Sequence, residues 1–216
     1  MIELAVFLGN PGREYSRNRH NAGFLLAEKL KANLSWQKKY KGLYASMERS
    51  LLAQEGSPQV DGGQSSRLHF IKPQTYMNLS GQSVSAAASF FKIKTASIMV
   101  IHDELELGLG TLSLKFGGGL GGHNGLRSMK ASLGSADFWR LRIGIGRPDS
   151  RAPGKGGPEG SGEGIVDWVL SDFSAQETEE MERVLDAALE LLTSALLNGP
   201  EGLLPEWSKK KVLLDV

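Results

Sequence analysis

The sequence contains no cysteine, so disulfide bonds, thiolate metal ligands and a cysteine nucleophile are all excluded. No apolar run approaches the roughly 20 residues that are needed to span a bilayer. The net charge is only +1, from 25 basic and 24 acidic residues, so no global field attracts a polyanion. Residues 2–9 carry Glu3 and lack a basic leader, which indicates a first strand rather than a signal peptide. These absences favour a soluble, cytoplasmic protein without membrane contact.

What is abundant is glycine, with 27 among 216 residues, and it is clustered. Residues 149–164 hold glycine and proline without apolar periodicity, so we expect a flexible loop there, and 53–66 has the same character. The cluster at 117–125 differs because it contains two polar side chains and opens onto a helical pattern. With 40% hydrophobic residues the chain can bury a core without cross-links, and we expect one domain over residues 1–216.

Hydrophobic patterning predicts alternating strands and helices. Strands are predicted at 2–8, 43–52, 67–72, 97–102, 111–116 and 140–146, and helices at 21–32, 80–92, 124–133 and 174–197. Ser174 and Glu177 form a capping box for the last helix, while Asn124 is placed to cap the third helix and Gly134 to end it. The fold class is therefore α/β, a single-domain sandwich with a twisted mixed, mostly parallel sheet flanked by helices.

Ligands of open α/β sheets bind at the carboxyl ends of strands, and His20 and Asp103 lie at such positions. Imidazole suits general-base work near neutral pH, and a carboxylate commonly orients it. The alternative is that His20 only caps a helix and that Asp103 only shapes a turn. Three asparagines, Asn10, Asn78 and Asn124, also lie at element boundaries. They serve either as turn and cap residues or as amides that bind a polar substrate and stabilise an oxyanion.

Several familiar sites are missing. The glycine cluster is neither a Walker A loop nor a convincing dinucleotide fingerprint, and no G-x-S-x-G or H-E-x-x-H motif occurs. His102, Asp103 and Glu104 have no metal-ligand spacing, so we expect neither a metal nor a cofactor. Basic residues do cluster locally, for example around Lys115 and Arg142, where they can contact phosphates or form a solvated surface.

Six stretches together resemble the bacterial-type peptidyl-tRNA hydrolase family. They are LGNPGREY (8–15), RHNAG (19–23), KPQTYMNLSG (72–81), HDELELGLG (102–110), KFGGGLGGHNGLRS (115–128) and RLRIGIGRP (140–148). Their order and spacing over residues 1–148 make the resemblance far more specific than any single motif. The C-terminal part matches more loosely, through WVLSDFS (168–174) and the long helix.

The resemblance implies a cofactor-free esterase that acts in translation, as a monomer, on the bond between peptide and tRNA. The family's catalytic residues fall on His20, Asp103 and Asn10 of this sequence. Its substrate-binding positions fall on Tyr15, Asn21, Met77, Asn78, His123 and Asn124. Its tRNA-binding positions fall on Lys115 and Arg142.

The sequence departs from the family pattern in the long glycine-rich stretch 149–164, in the expanded 53–66 and in the ending 206–216. These departures bear on tRNA contacts rather than on the chemistry. Two alternatives stay open at this point. Some relatives of this fold bind RNA as splicing factors in plant organelles, with a vestigial pocket. A generic esterase or a nucleoside-processing enzyme on a similar sheet is the other.

Overall fold

A computed structural model of the chain describes residues 1–30, 34–52, 67–148 and 162–213. Eight strands form one sheet in the order β2-β3-β4-β1-β5-β7-β6-β8. The strands are β1 (Leu4–Phe7), β2 (Gln37–Lys39), β3 (Gly42–Glu48), β4 (Arg67–Pro73), β5 (Ile98–Glu104), β6 (Thr111–Phe116), β7 (Trp139–Gly144) and β8 (Lys210–Lys211).

The centre of the sheet is parallel and its two flanks are antiparallel. Strand β1 pairs in parallel with β4 and β5, and β5 pairs in parallel with β7. The β2–β3 hairpin extends one flank, and β6 and β8 extend the other. The predicted α/β fold with a mixed sheet is thus confirmed. Because β4, β1 and β5 run in the same direction, the residues that follow them meet at one edge of the sheet.

Six helices cover the two faces of the sheet. They are α1 (Ala22–Lys29), α2 (Ser80–Phe91), α3 (Asn124–Leu133), α4 (Gly162–Val169), α5 (Ala175–Asn198) and α6 (Leu204–Trp207). Helix α5 begins with the predicted capping box of Ser174 and Glu177, and α3 ends at Gly134 with φ 76°. The predicted cap of α3 is wrong by one residue. His123 is the N-cap and accepts the N–H groups of Gly125 and Leu126, while Asn124 is the first helical residue.

Alternate residues of the central strands point into two cores. On one face Phe7 and Ile101 are fully buried under α1 and α5. On the other face Val6 and Val100 are fully buried under α2 and α3. Helix α1 lies directly on the strand ends at Gly23. A Cβ at Gly23 would lie only 2.5 Å from the carbonyl oxygen of Leu8, so glycine is required for this approach. No helix in the described ranges combines the length and the apolar character that crossing a bilayer requires.

The structure differs from the predicted elements in several places, and helices α4 and α6 were not predicted. The predicted strand 43–52 stops at Glu48, and a short 3₁₀ turn follows. Strands β2 and β8 were not predicted because they are short, polar and placed at the sheet edges. Helix α4 begins at Gly162, so residues 162–164 are helical rather than part of the predicted loop. The rest of that predicted loop, 149–161, and the predicted loop 53–66 lie outside the described residues.

Candidate active site

The centre of the site is a contact between His20 and Asp103. His20 lies in a short 3₁₀ turn just before α1, and Asp103 lies near the end of β5. The Nδ1 atom of His20 is 2.9 Å from Oδ1 and 3.0 Å from Oδ2 of Asp103. Both residues are buried. The carboxylate can only accept, so Nδ1 carries the proton and Nε2 has a free lone pair. This is the tautomer that a general base needs.

His123 is a second imidazole on the same carboxylate. Its Nε2 is 3.1 Å from Oδ1 of Asp103, and its ring centroid is 4.9 Å from that of His20. Its Nδ1 accepts the backbone N–H of Gly125 at 3.1 Å, as the cap of α3. Because Nδ1 is an acceptor, the proton of neutral His123 is on Nε2 and is donated to Asp103. The sequence indicated a place for His123 beside the cleft but not this contact.

Burial and charge act in opposite directions on the two central groups. Burial lowers the pKa of His20, but the Asp103 carboxylate outweighs it and raises that pKa above its ordinary value of 6.5. Burial raises the pKa of Asp103, but the two imidazoles hold it well below 3.8. Asp103 is therefore ionised at neutral pH, and it stabilises the protonated form of His20.

His102 lies behind this pair, on the opposite face of β5. Its Nδ1 donates to the backbone carbonyl of Asp103 at 2.7 Å, and its ring meets that of His123 edge to face at 5.0 Å. Burial lowers the pKa of His102 well below 6.5, so it is neutral. Glu104 lies one residue further and pairs with Arg142. Successive residues of a strand point to opposite faces, so His102, Asp103 and Glu104 do not converge on one ligand.

An asparagine pair shapes the pocket next to His20. The side-chain amide of Asn21 donates to the backbone carbonyl of Asn10 at 3.0 Å and accepts its backbone N–H at 2.8 Å. The Oδ1 atom of Asn10 accepts the backbone N–H of Met77 at 2.8 Å. This bond identifies Oδ1 as the acceptor end of the Asn10 amide. Among the described contacts the donor end, Nδ2, has no partner. Asn10 therefore presents a donor, whereas both amide ends of Asn21 are occupied by backbone.

The other residues predicted to bind substrate differ in their burial and contacts. Met77 is buried, and a Cβ on Gly125 would come within 2.6 Å of its sulfur, so Met77 joins the turn before α2 to the start of α3. Asn78 and Asn124 are exposed, and their side chains make none of the hydrogen bonds found among the described residues. Tyr15 is half-buried in a separate 3₁₀ turn, Arg13–Tyr15. Their contact with a substrate stays a prediction.

The two predicted tRNA-binding residues differ in their surroundings. Lys115 is exposed near the end of β6. Arg142 is half-buried on β7, where its Nε donates to Oε2 of Glu104 at 2.9 Å and its Nη1 to Ser113 at 3.2 Å. Strand register places both residues on the same face of the sheet. Among the described residues no carboxylate pairs with Lys115, while the charge of Arg142 is partly balanced by Glu104.

Arg19 fixes the segment that carries His20 and was not predicted as a site residue. Its Nε donates to Ser171 at 3.2 Å and its Nη2 to Glu177 at 2.8 Å. Its guanidinium lies 3.9 Å from the ring centroid of Trp168. Burial raises the pKa of Glu177, but hydrogen bonds from Arg19 and the helix cap lower it to about 2. The junction of α4 and α5 thus holds the turn before α1, and nothing in the sequence pairs these distant residues.

The ligand atoms of His20, Asp103 and His123 lie within 4.8 Å of one another, a spacing that a metal ion can also use. The hydrogen bonds account for this spacing without an ion. His123 already accepts an N–H through Nδ1, so its Nε2 is protonated and has no lone pair for a metal. The geometry therefore favours a proton-transfer site.

Known proteins are similar to this chain over nearly its whole length. Residues 4–213 match the family model described as peptidyl-tRNA hydrolase. This chain belongs to the peptidyl-tRNA hydrolase family. It is 44% identical to the peptidyl-tRNA hydrolase of Treponema pallidum (strain Nichols), over 98% of this chain and 97% of the relative. It is 43% identical to that of Aromatoleum aromaticum (strain DSM 19018 / LMG 30748 / EbN1), over 86% and 83% of the two chains.

Solved structures of peptidyl-tRNA hydrolases agree with the fold as well. The enzyme from Acinetobacter baumannii is 35% identical, with a TM-score of 0.75 over 96% of this chain and 92% of that one. A peptidyl-tRNA hydrolase in complex with N-propanol gives the same identity, TM-score and coverage. The family is one of hydrolases, so the resemblance drawn from the sequence motifs is confirmed and the chain is an enzyme of this class.

Proposed function

We propose that this protein hydrolyses the ester between a peptide and the terminal ribose of tRNA, with His20 as the general base. The observation that carries the proposal is the hydrogen bond from Nδ1 of His20 to Asp103, which leaves Nε2 free to accept a proton. The Nε2 atom takes a proton from water while the water oxygen attacks the ester carbonyl. The tetrahedral intermediate then expels the ribose oxygen, which receives that proton from the imidazolium.

Asp103 supports both halves of this cycle. It orients the ring of His20 while the ring is neutral and stabilises it while it is protonated, because the carboxylate stays ionised. His123 donates to the same carboxylate, which keeps Oδ1 in place. No ionisable group other than these three is needed for the proton transfers.

The carbonyl oxygen needs donors as negative charge develops on it. Nδ2 of Asn10 is a donor without a partner among the described contacts, and Asn21 holds its backbone in place. Asn78 and Asn124 flank the same edge of the sheet, at the starts of the turn before α2 and of α3. We assign Asn10 and Asn124 to the peptide or ester oxygens, and Asn78 to the peptide or the water. Losing one such donor typically slows catalysis about 10²- to 10³-fold.

The same amides offer a reason why aminoacyl-tRNA is spared. A peptide amide next to the ester satisfies the asparagines, whereas the free amine of an aminoacyl group leaves buried polar atoms unpaired, which discriminates strongly. We expect N-acetyl-aminoacyl-tRNA to be hydrolysed much faster than the same aminoacyl-tRNA without the acetyl group. Equal rates would contradict this account of specificity.

We assign tRNA binding to the side of the sheet that β6 and β7 form. The ammonium of Lys115 and the neighbouring guanidinium of Arg142 suit phosphate oxygens. Each phosphate contact adds to the salt dependence of binding, so Lys115→Gln should weaken tRNA binding and make it less sensitive to salt.

The experiment that tests the proposal is release of free tRNA from N-acetyl-aminoacyl-tRNA by the wild type and by His20→Ala. We expect a loss of about 10²- to 10⁴-fold in the variant, since this is what general-base help is worth. His69→Asn is the matched control, because His69 is also buried but bonds to Tyr44 far from Asp103 in the sheet. A His20→Ala protein with near-normal rate would overturn the proposal. A folded wild type that binds tRNA without releasing it would indicate an RNA-binding protein instead.

A further inference from the structure

The β2–β3 hairpin carries three lysines and is attached directly to the active-site edge of the sheet. Gly42 of β3 pairs with Pro73 at the carboxyl end of β4. The backbone N–H of Gln74 donates to the carbonyl of Lys41 at 3.0 Å. The segment that begins with Gln74 continues into Met77, which contacts Asn10. The hairpin turn is therefore held against the same short segment that builds the substrate pocket.

The turn itself is held in an unusual conformation. Tyr40 and Lys41 both have φ 54°, in the left-handed region that favours glycine or asparagine. Aromatic packing holds the turn, since the ring of Tyr40 lies 5.2 Å from that of Tyr44 and 5.4 Å from that of Phe90. The Nζ atom of Lys41 donates to Gln82 at 2.8 Å. The lysines of the hairpin are thus presented on a fixed backbone.

Lys38, Lys39 and Lys41 line a cavity of about 600 Å³ that also includes Gln74 and Thr75. Lys38 and Lys39 are exposed on β2, and within the described part of the chain no carboxylate pairs with any of the three lysines. By contrast, Lys72 nearby is buried and is neutralised by Glu28. The hairpin cavity is therefore a concentration of uncompensated positive charge in a protein whose net charge is only +1.

A second cavity lies next to the first, between the hairpin and Asn10. It has a volume of about 310 Å³ and is lined by Asn10, Asn21, Phe24 and, like the first cavity, by Gln74. Gly42 lines the first cavity and Leu43 the second, so the two are neighbours along β3. A path thus leads from the pocket of Asn10 past an apolar wall to the three lysines.

We infer that this path binds the peptide part of the substrate, and that the hairpin lysines favour peptides with acidic side chains upstream of the ester. The inference rests on the proposed function. In the sheet, β1 and β5 are central, with β7 and β6 on one side and the hairpin on the other. If the tRNA lies over the flank of Lys115, the peptide leaves the ester toward the hairpin. Carboxylates of Asp and Glu are the anions that a peptide carries, and lysine ammonium groups attract them.

The test compares two substrates that share the tRNA, the peptide length and the residue at the ester, but carry either glutamates or glutamines upstream. At low salt we expect the wild type to have a kcat/KM about 3- to 10-fold higher for the glutamate substrate, because exposed ion pairs are individually weak and are screened by salt. The difference should lie mainly in KM and shrink as salt is added. Lys38→Gln/Lys39→Gln should remove most of this preference by lowering the kcat/KM of the glutamate substrate.

Lys94→Gln is the matched control, because Lys94 is also exposed but lies before β5, at the opposite end of the strands. It should keep the preference for glutamate. Equal rates of the wild type on both substrates would overturn the inference and leave the proposed function intact. An equal loss on both substrates in the double variant would also overturn it, and would indicate that the lysines bind RNA. A folded wild type that cleaves neither substrate would refute the proposed function, and the inference with it.

Discussion

Two buried histidines in this protein have opposite chemistry. His20 is 9% exposed and contacts the carboxylate of Asp103, which raises its pKa. His69 is 7% exposed and shares a hydrogen bond of 2.8 Å with the hydroxyl of Tyr44. Its ring stacks on Phe91 with centroids 4.0 Å apart, and burial, followed by the charge of Arg67, lowers its pKa.

The comparison shows that burial alone does not make a histidine reactive. An ionised neighbour raises the pKa of His20, whereas His69 has only a neutral hydroxyl as its partner, and burial and the charge of Arg67 lower its pKa. The residues around His20 stabilise the protonated form of its ring. The residues around His69 only pack against its ring and satisfy one polar atom. The first three of the following predictions test the contacts of these rings, and the last tests whether a metal binds beside His20.

The largest effect on kcat is expected when the carboxylate of Asp103 is removed. Asp103→Asn should lower kcat about 10²- to 10⁴-fold, because the ring of His20 loses both its orientation and the charge that stabilises it. His20 is active as a base when neutral, so the rate rises with pH through its pKa. Without the carboxylate that pKa falls, and the rise should move to lower pH.

The measurement is a single-turnover pH profile of both proteins. Asp167→Asn is the control, because Asp167 is exposed on α4 and makes none of the side-chain contacts found among the described residues. A profile of Asp103→Asn that keeps the wild-type midpoint would show that the carboxylate does not act on the general base.

A smaller effect is expected at His123, which has two functions that substitution can separate. Asparagine is a good N-cap, so His123→Asn should keep α3 stable while losing the hydrogen bond to Asp103. His123→Ala loses both. We expect kcat to fall about 10-fold in both variants, which is the worth of one hydrogen bond to a charged group. The alanine variant should lose about 1 kcal/mol more unfolding free energy than the asparagine variant, because only alanine removes the cap of α3.

Steady-state rates together with urea unfolding measure these two quantities. A normal rate in His123→Asn would mean that His123 matters only as the cap of α3 and not for Asp103.

Around His69 we expect substitutions to change the stability of the protein and not its activity. Tyr44→Phe leaves the buried Nδ1 of His69 without its partner and should lower the free energy of unfolding by about 1 kcal/mol, with kcat unchanged. Tyr44→Phe/His69→Phe removes both polar partners and should recover most of that loss. Urea unfolding of the three proteins checks this. A double variant less stable than the single one would show that the stack on Phe91 requires imidazole.

The smallest expected effect is that of metal removal, which should cause no measurable change in rate. The ring nitrogens that face Asp103 are protonated donors, so the cluster is already satisfied by hydrogen bonds. Activity is measured before and after dialysis against a chelator. Loss of activity that returns on adding zinc would show that the cluster binds a metal rather than sharing protons.

Much of this fold is visible in the sequence because its elements are locally consistent. Helix α5 has a capping box and an apolar face that agree, and the sequence of β6 alternates apolar and polar residues, although Thr111 to Leu114 are all buried and Phe116 is exposed. Short polar edge strands such as β2 escape prediction because their pairing partner, rather than their own residues, makes them strands. The cap of α3 was misplaced because asparagine is the usual cap, while here the neighbouring imidazole accepts the N–H groups.

The sequence by itself determined the residue types of the site, their position near the carboxyl ends of β1, β4 and β5, and the family to which they point. Only the tertiary structure decided which of them meet. His20 and Asp103 are 83 positions apart, and their 2.9 Å contact depends on β1 and β5 lying side by side and on glycine at position 23. The contact of Arg19 with Glu177 spans 158 positions. Local propensities act over a few residues, so such contacts follow only from the packing of the whole sheet.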